Sequence, residues 1–479
     1  MNKSINMKTE PLISTSNLFN YLYLFCISFL RYLIGNYIKI RKPTFMMNRI
    51  IAFLTIIITA QSLLAQQDTL IYKYRRMSVD YQQQIKMAEA DLAGAESMVD
   101  AAKSDRLPKL DFLGDYTYQG VPIQLAPTIE NGAGVKVNNF YSLDLVVSQP
   151  IITGGYLKNT LNMAQSQADV MRNFVSLNEQ EVMLNSDAFY WKAVTGKEIR
   201  NLFISYRDAI GQFLDVIQDR VDEEIVGMNE LYQTRVRYND AEYEVIRTEK
   251  EFMISVMELN RLVGLPVKTL PNVSDSLMVV QWNKIDDNLT DKAFQQRPEI
   301  GLLQSKISMN QFNEKVTASQ YNPQLGVGVG GNWGAPSPGL STNPAFNYNV
   351  VAKLVIPVFY WGKKKEEVSA SRQLTEVSKL EMGQTKDMIT LQVESSFYDL
   401  EQSQSQLDFA SSSLENAYKN VDVTLDRYQE GLSSVLEVLD AQLFWQKTYL
   451  NYIQAKFDLN VAFSAYLRAM GELSVEKLN

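Results

Sequence analysis

The sequence predicts an α+β membrane protein in which a few strands from each of several copies close a barrel that continues into long helices standing in water. Three observations predict it: an internal repeat, four alternating segments of membrane-crossing length, and two long stretches without proline. Pro150, Gly155, Tyr190, Arg220, Glu230 and Gly264 recur 207 residues later as Pro357, Gly362, Phe397, Arg427, Glu437 and Gly471. A constant offset held over that span marks a duplicated structural unit. Each copy has the same order: a helical lead-in ending in proline, two alternating strands, then a long helical stretch.

The strands come first. Leu110, Phe112, Tyr116 and Tyr118 alternate with Lys109, Asp111, Asp115, Thr117 and Gln119, and Tyr141, Leu143, Leu145 and Val147 alternate with Ser142, Asp144 and Ser148. In the second copy Leu325, Val327 and Val329 alternate with Gly326, Gly328 and Gly330, and Phe346, Tyr348, Val350, Leu354 and Ile356 alternate with Asn347, Asn349 and Lys353. Period-two alternation is the signature of a strand with one apolar face. Segments of about ten residues are long enough to cross an outer-membrane bilayer at a tilt. Gly/Pro/Asn-rich loops at 120–139 and 331–345 join the pairs, and Tyr116, Tyr118, Phe140, Tyr141, Trp333, Phe346 and Tyr348 flank them as interfacial aromatic girdles do. Four strands cannot close a barrel, and an open edge in lipid leaves backbone groups without partners. More than one copy is therefore required: two give eight strands, three give twelve with room for a passage.

The helices follow. Residues 151–265 and 358–479 lack proline. Folded as hairpins of two helices of about 50–55 residues, each stretch would extend about 75–80 Å. Leu436, Leu439, Leu443, Leu450, Ile453 and Phe457 form a heptad seam, while Gln442, Gln446, Lys447, Gln454, Lys456 and Asp458 read as a face in water. Val226-Gly227 and Gly431 mark the hairpin tips. The chain divides accordingly into a leader at 1–65, a lead-in helix at 66–107, a strand pair at 108–150 and a hairpin at 151–265. An equatorial linker with the second lead-in helix occupies 266–320, the second strand pair 321–357, the second hairpin 358–471, and a tail 472–479.

Composition narrows the function. The chain is acidic, with formal net charge −8, and the basic leader makes the remainder more acidic still, so a nucleic-acid partner is not expected. There is no histidine, and the one cysteine, Cys26, lies in the leader. That removes the usual zinc and copper ligands, thiol chemistry and His-dependent nucleophilic catalysis, so neither an enzyme nor a cofactor or metal site is expected. Arg49, the apolar run Ile50–Ala60 and Ala65 read as a signal peptide cleaved near Ala65-Gln66, with translation expected to start at Met46 or Met47. An extracytoplasmic structural coiled-coil protein without channel activity is the alternative; strands of membrane-crossing length argue against it.

The run Arg427-Tyr428-Gln429-Glu430-Gly431, continuing through Val438-Leu439-Asp440-Ala441-Gln442 to Asn451-Tyr452-Ile453-Gln454-Ala455 and Gly471-Glu472-Leu473, resembles the last hairpin of TolC-like outer-membrane efflux proteins. Arg297-Pro298-Glu299-Ile300, Pro108 with Pro323, Gln149-Pro150 and Ile356-Pro357 share the resemblance. It implies a homotrimer with a twelve-stranded transmembrane barrel in the outer membrane and a helical barrel in the periplasm. It also implies an exit duct for a tripartite efflux or type I secretion system. The partners implied are a periplasmic adaptor of the membrane fusion class and, through it, an inner-membrane transporter of RND, ABC or MFS type. In that family acidic residues close the periplasmic end. By motif position Glu437 and Asp440 match two gate acids, Glu230 the acid of the first hairpin, and Tyr428 a tyrosine that holds the tip shut. Ser433 stands where some members carry a latching arginine, and Glu224 replaces a tip glycine. The tip residues Val226, Gly227, Gly431 and Ser433 are the expected adaptor-docking surface, because a free hairpin end offers itself to a partner hairpin.

Overall fold

The computed structural model describes residues 70–124, 136–280, 282, 288–336 and 343–475, all within one compact unit, Thr69–Asn479. The expected leader and signal peptide lie outside the described residues. A helix α1 occupies 70–81, followed by α2 (Gln83–Ser104), β1 (Lys109–Gln124), β2 (Lys136–Ile152), α3 (Tyr156–Asp222) and α4 (Met228–Val263). Then come α5 (Leu289–Gln296), α6 (Pro298–Ser319), β3 (Gln324–Ala335), β4 (Ala345–Val355), α7 (Lys363–Gln429) and α8 (Val435–Met470). The 207-residue offset carries both ends of α3 onto those of α7 and both ends of α4 onto those of α8. Glycines at positive φ set the shared limits: Gly155 and Gly362 cap the starts of α3 and α7, and Gly264 and Gly471 cap the ends of α4 and α8.

Two length expectations change. The strands run to 16, 17, 12 and 11 residues, longer than ten in every case, because β1, β2 and β3 reach into the segments read as loops. The hairpin arms are unequal, 67 residues against 36, or about 100 Å against 54 Å at 1.5 Å per residue. Each long helix has its short partner beside the tip-proximal part only. The lead-in helices take over beyond it, α2 and α6 packing on α3 and α6 also on α7.

The strands form one antiparallel sheet in the order β1-β2-β3-β4, so β1 and β4 are both edges. Cross-strand partners share a face. The register places Leu110, Val147, Val329 and Val350 in one row, Phe112, Leu145, Gly331 and Tyr348 in the next, and Gly114, Leu143, Trp333 and Phe346 in a third. All the apolar stripes read from the sequence therefore fall on one face, and it is exposed. The opposite face is polar and lined with glycine, with Asp144 accepting hydrogen bonds from Ser142 (2.7 Å) and Asn332 (2.5 Å).

The face of α8 read as standing in water is also corrected. Gln442, Gln446 and Lys456 are buried, and Leu436 of the expected seam is exposed. The cause is that α8 packs on both α7 and α3, so its buried surface is wider than a single heptad stripe. Lys456 reaches Glu198 of α3 at 2.5 Å, and Glu198 also accepts the Leu277 backbone N–H at 3.0 Å. The stretch expected as an outlying linker is thus tied to both repeats: Ser274 bonds Tyr190 of α3, the Met278 carbonyl accepts from Asn460 of α8, and Trp282 stacks edge-on against Phe397 of α7. Among the described residues no helix is long and apolar enough to cross a membrane.

Candidate functional site

The candidate site is the turn of each hairpin and the first turns of α4 and α8. Beneath it lies a seam on α3 at Phe203, Tyr206, Ile210, Phe213 and Ile217, spaced three and four apart, which packs on Leu231 of α4, Tyr428 of α7 and Val435, Val438 and Leu439 of α8. The two turns share one construction. Ile225 N–H bonds the Arg220 carbonyl (2.8 Å) and Leu432 N–H bonds the Arg427 carbonyl (2.7 Å), one repeat apart. That closure needs a left-handed residue, which is Gly431 at φ 76° in the second turn and Glu224 at φ 58° in the first. A side chain there is disfavoured by roughly 1–2 kcal/mol. We expect Glu224→Gly to raise stability by about 0.5–1 kcal/mol and Gly431→Ala, whose added Cβ meets nothing, to lower it by about 1 kcal/mol, both read as urea midpoints.

Tyr428 is the hub that joins the hairpins. It is 4% exposed, with the Phe213 ring edge-on at 5.3 Å and the Arg220 guanidinium 4.4 Å above its own ring. Arg220 also donates to the Tyr428 carbonyl at 3.5 Å. Burial pushes the Tyr428 hydroxyl above its usual pKa; Arg220 pulls it down in part and the nearby Glu230 charge pushes it up again, so it stays protonated at neutral pH. Glu230, in the first turn of α4, is half-buried, and one of its carboxylate oxygens is buried with no hydrogen-bond partner among the described residues.

The other two acids sit elsewhere. Glu437 is exposed and completes a capping box: its backbone N–H bonds the Ser434 hydroxyl (3.3 Å) while its carboxylate accepts the Ser434 N–H (3.2 Å). Asp440, one turn on, has a side chain 60% exposed and pairs with Arg237 of α4 at 3.7 Å. Within one chain, then, Tyr428 and Glu230 come together, while Glu437 and Asp440 share the exposed side of α8. Of the docking candidates, Gly227 and Gly431 are exposed and Val226 and Ser433 half-buried. Sequence reasoning overlooked Phe213, Arg237 and the capping role of Glu437. The Ser434-Val435-Leu436-Glu437 spacing announces the cap, and the spacing of the α3 seam announces Phe213.

The family model for the outer membrane efflux protein matches residues 289–472, from the start of α5 to just past the cap of α8. Over this part the chain is similar to outer membrane efflux proteins. The pyoverdine export outer membrane protein OpmQ of Pseudomonas putida is 21% identical over 326 residues, covering 66% of this chain and 67% of that protein. The outer membrane protein TolC of Escherichia coli K12 is 18% identical over 430 residues, covering 87% and 85%. Among solved structures, CusC superimposes with TM-score 0.70 at 16% identity, covering 84% of this chain and 91% of its own. The open state of the Neisseria gonorrhoeae MtrE outer membrane channel gives TM-score 0.70 at 12% identity, covering 86% and 91%. The efflux-family model takes in the whole second hairpin, and the first repeats its helix limits 207 residues earlier.

Proposed function

We propose that three copies of this outer-membrane protein close a twelve-stranded barrel and a twelve-helix periplasmic tunnel, forming the passive exit duct of a tripartite efflux or type I secretion system. The observation that carries the reading is the pair of open flanks on one chain. In the sheet, β1 and β4 are edges with an exposed apolar face, which lipid tolerates only when edges pair. In the helical part, α3 packs on α4 and α8, and α8 on α7, leaving α4 and α7 as the flanks.

Both flanks expose apolar residues at matching heights. Tyr232, Val236, Ile246 and Ile254 stand four, eight, eighteen and twenty-six residues into α4. Val423, Tyr418, Phe409 and Tyr398 stand six, eleven, twenty and thirty-one residues before the end of α7. The heights agree within about 8 Å at the rise of a helix. One copy's α4 therefore meets the next copy's α7, a head-to-tail contact that closes a ring.

In this assembly Glu230, Glu437 and Asp440 form the acidic constriction, Tyr428 supports it, and the tips at Val226, Gly227, Gly431 and Ser433 dock the adaptor, which links the duct to an inner-membrane transporter. Cysteines placed by Val236→Cys and Tyr418→Cys test the arrangement without background thiols once Cys26, the one cysteine of the sequence, is replaced by serine. Oxidation should give covalent dimers and closed trimers when both substitutions are present and none with either alone. Absence of intermolecular bonds in the double variant would contradict the ring.

A further inference from the structure

The junction between β4 and α7 carries a feature that the first repeat lacks. Val358, Phe359, Tyr360 and Trp361 are all exposed, Val358 and Trp361 at 88%, and the Phe359 and Trp361 rings stack edge-on at 4.8 Å. Lys363, Lys364 and Lys365 follow at once, also exposed. Trp361 has φ 50°, the left-handed region, where the repeat equivalent is Gly154 at φ 62°. Gly154 is closed in: its carbonyl accepts from Asn322 at 2.8 Å, and a Cβ there would fall on the Asn322 side chain. The equivalents of the three lysines are Tyr156, Leu157 and Lys158. The first repeat thus has glycine at this position, whereas the second holds an exposed tryptophan there against backbone preference, with more basic residues beside it. An outlier of this kind points to a function.

Its height in the sheet identifies the partner. Trp333, Phe346 and Tyr348 sit on the apolar face near the loop end. From Phe346 to Val355 the strand rises about 30 Å, or about 23 Å along the membrane normal at a 40° tilt. Ile356–Trp361 therefore arrive at the far edge of an apolar band about 25 Å tall, where amphipathic aromatics and lysines meet headgroups. The basic charge is only partly compensated. Lys363 lies 3.5 Å from Glu367 and Lys365 3.7 Å from Glu366, both on the exposed surface, while Glu367 also accepts the Tyr321 hydroxyl at 2.5 Å. Lys364 has no carboxylate within ion-pair distance among the described residues.

We propose that Phe359, Trp361 and Lys363–Lys365 form a headgroup-binding belt that selects anionic phospholipids in the periplasmic-side leaflet of the membrane the barrel spans. The proposal rests on the barrel reading above, and liposome flotation separates the two: protein that does not float contradicts both. In proteoliposomes of the mature protein, the fluorescence lost on Trp361→Phe isolates the Trp361 signal. Brominated phosphatidylglycerol should quench that signal with roughly fivefold higher apparent affinity than brominated phosphatidylethanolamine, the ratio that one cation near an anionic surface carries. Combined Lys363→Gln, Lys364→Gln and Lys365→Gln should equalise the two lipids without loss of flotation. Equal quenching of the unaltered protein by both lipids would overturn the proposal. So would no quenching of Trp361 in inserted protein whose Trp333 is quenched.

Discussion

Replacing Lys456 by methionine should destabilise the protein by about 3–5 kcal/mol, because it leaves the Glu198 carboxylate buried without its cation. The pair is enclosed, Lys456 being 4% and Glu198 7% exposed, and the ammonium also lies 4.9 Å from the centre of the Tyr452 ring. Adding Glu198→Gln should recover most of the loss. The amide keeps an acceptor for the Leu277 N–H, and no buried charge remains. A coupling of about 2 kcal/mol or more in the double-mutant cycle, read from denaturant midpoints in detergent, would establish the pair as the link between the repeats. Additive losses would show that the helices are held there by packing alone.

At the tip, Glu437→Gln with Asp440→Asn should lower cation-over-anion selectivity in planar bilayers by roughly tenfold, the change that a few kT of local potential carries. The substitutions remove charge and spare structure. Glutamine still completes the capping box with Ser434, and the exposed Asp440–Arg237 pair is worth no more than about 1 kcal/mol. Block by multivalent cations applied to the tip side should weaken in parallel, since the proposed trimer would lose six carboxylates at its proposed constriction. Adding Glu230→Gln should extend the effect. Unchanged reversal potentials and unchanged block in normally inserted protein would assign Glu437 to its cap and Asp440 to its ion pair, with no part in conduction.

Much of this was written in the chain. The period-two segments predicted a sheet whose apolar residues share a face, and the register puts Phe112, Leu145 and Tyr348 in one row. The glycines of the repeat marked the helix limits because positive φ there needs them. The unequal hairpin arms were legible too, since Gly227 and Gly431 divide the proline-free stretches unevenly; an even split ignores them. What local pattern could not reveal was long-range pairing. Lys456 and Glu198 are 258 residues apart, and each alone reads as a solvated charge. The same holds for the bidentate pair of Arg75 with Asp187, at 2.8 and 2.6 Å, which ties α1 to α3. At the site, motif position singled out Glu230, Glu437, Asp440 and Tyr428 from single helices. The Arg220–Tyr428–Phe213 stack needs three side chains from two repeats, and only the folded chain brings them together.

The most direct test of a shared duct is the mass of the protein released intact from membrane into mild detergent. Three copies of the mature chain in one particle is the result expected, because the β1 and β4 edges and the α4 and α7 flanks are satisfied only in a closed ring. A folded particle of one chain, stable in lipid, would contradict the account.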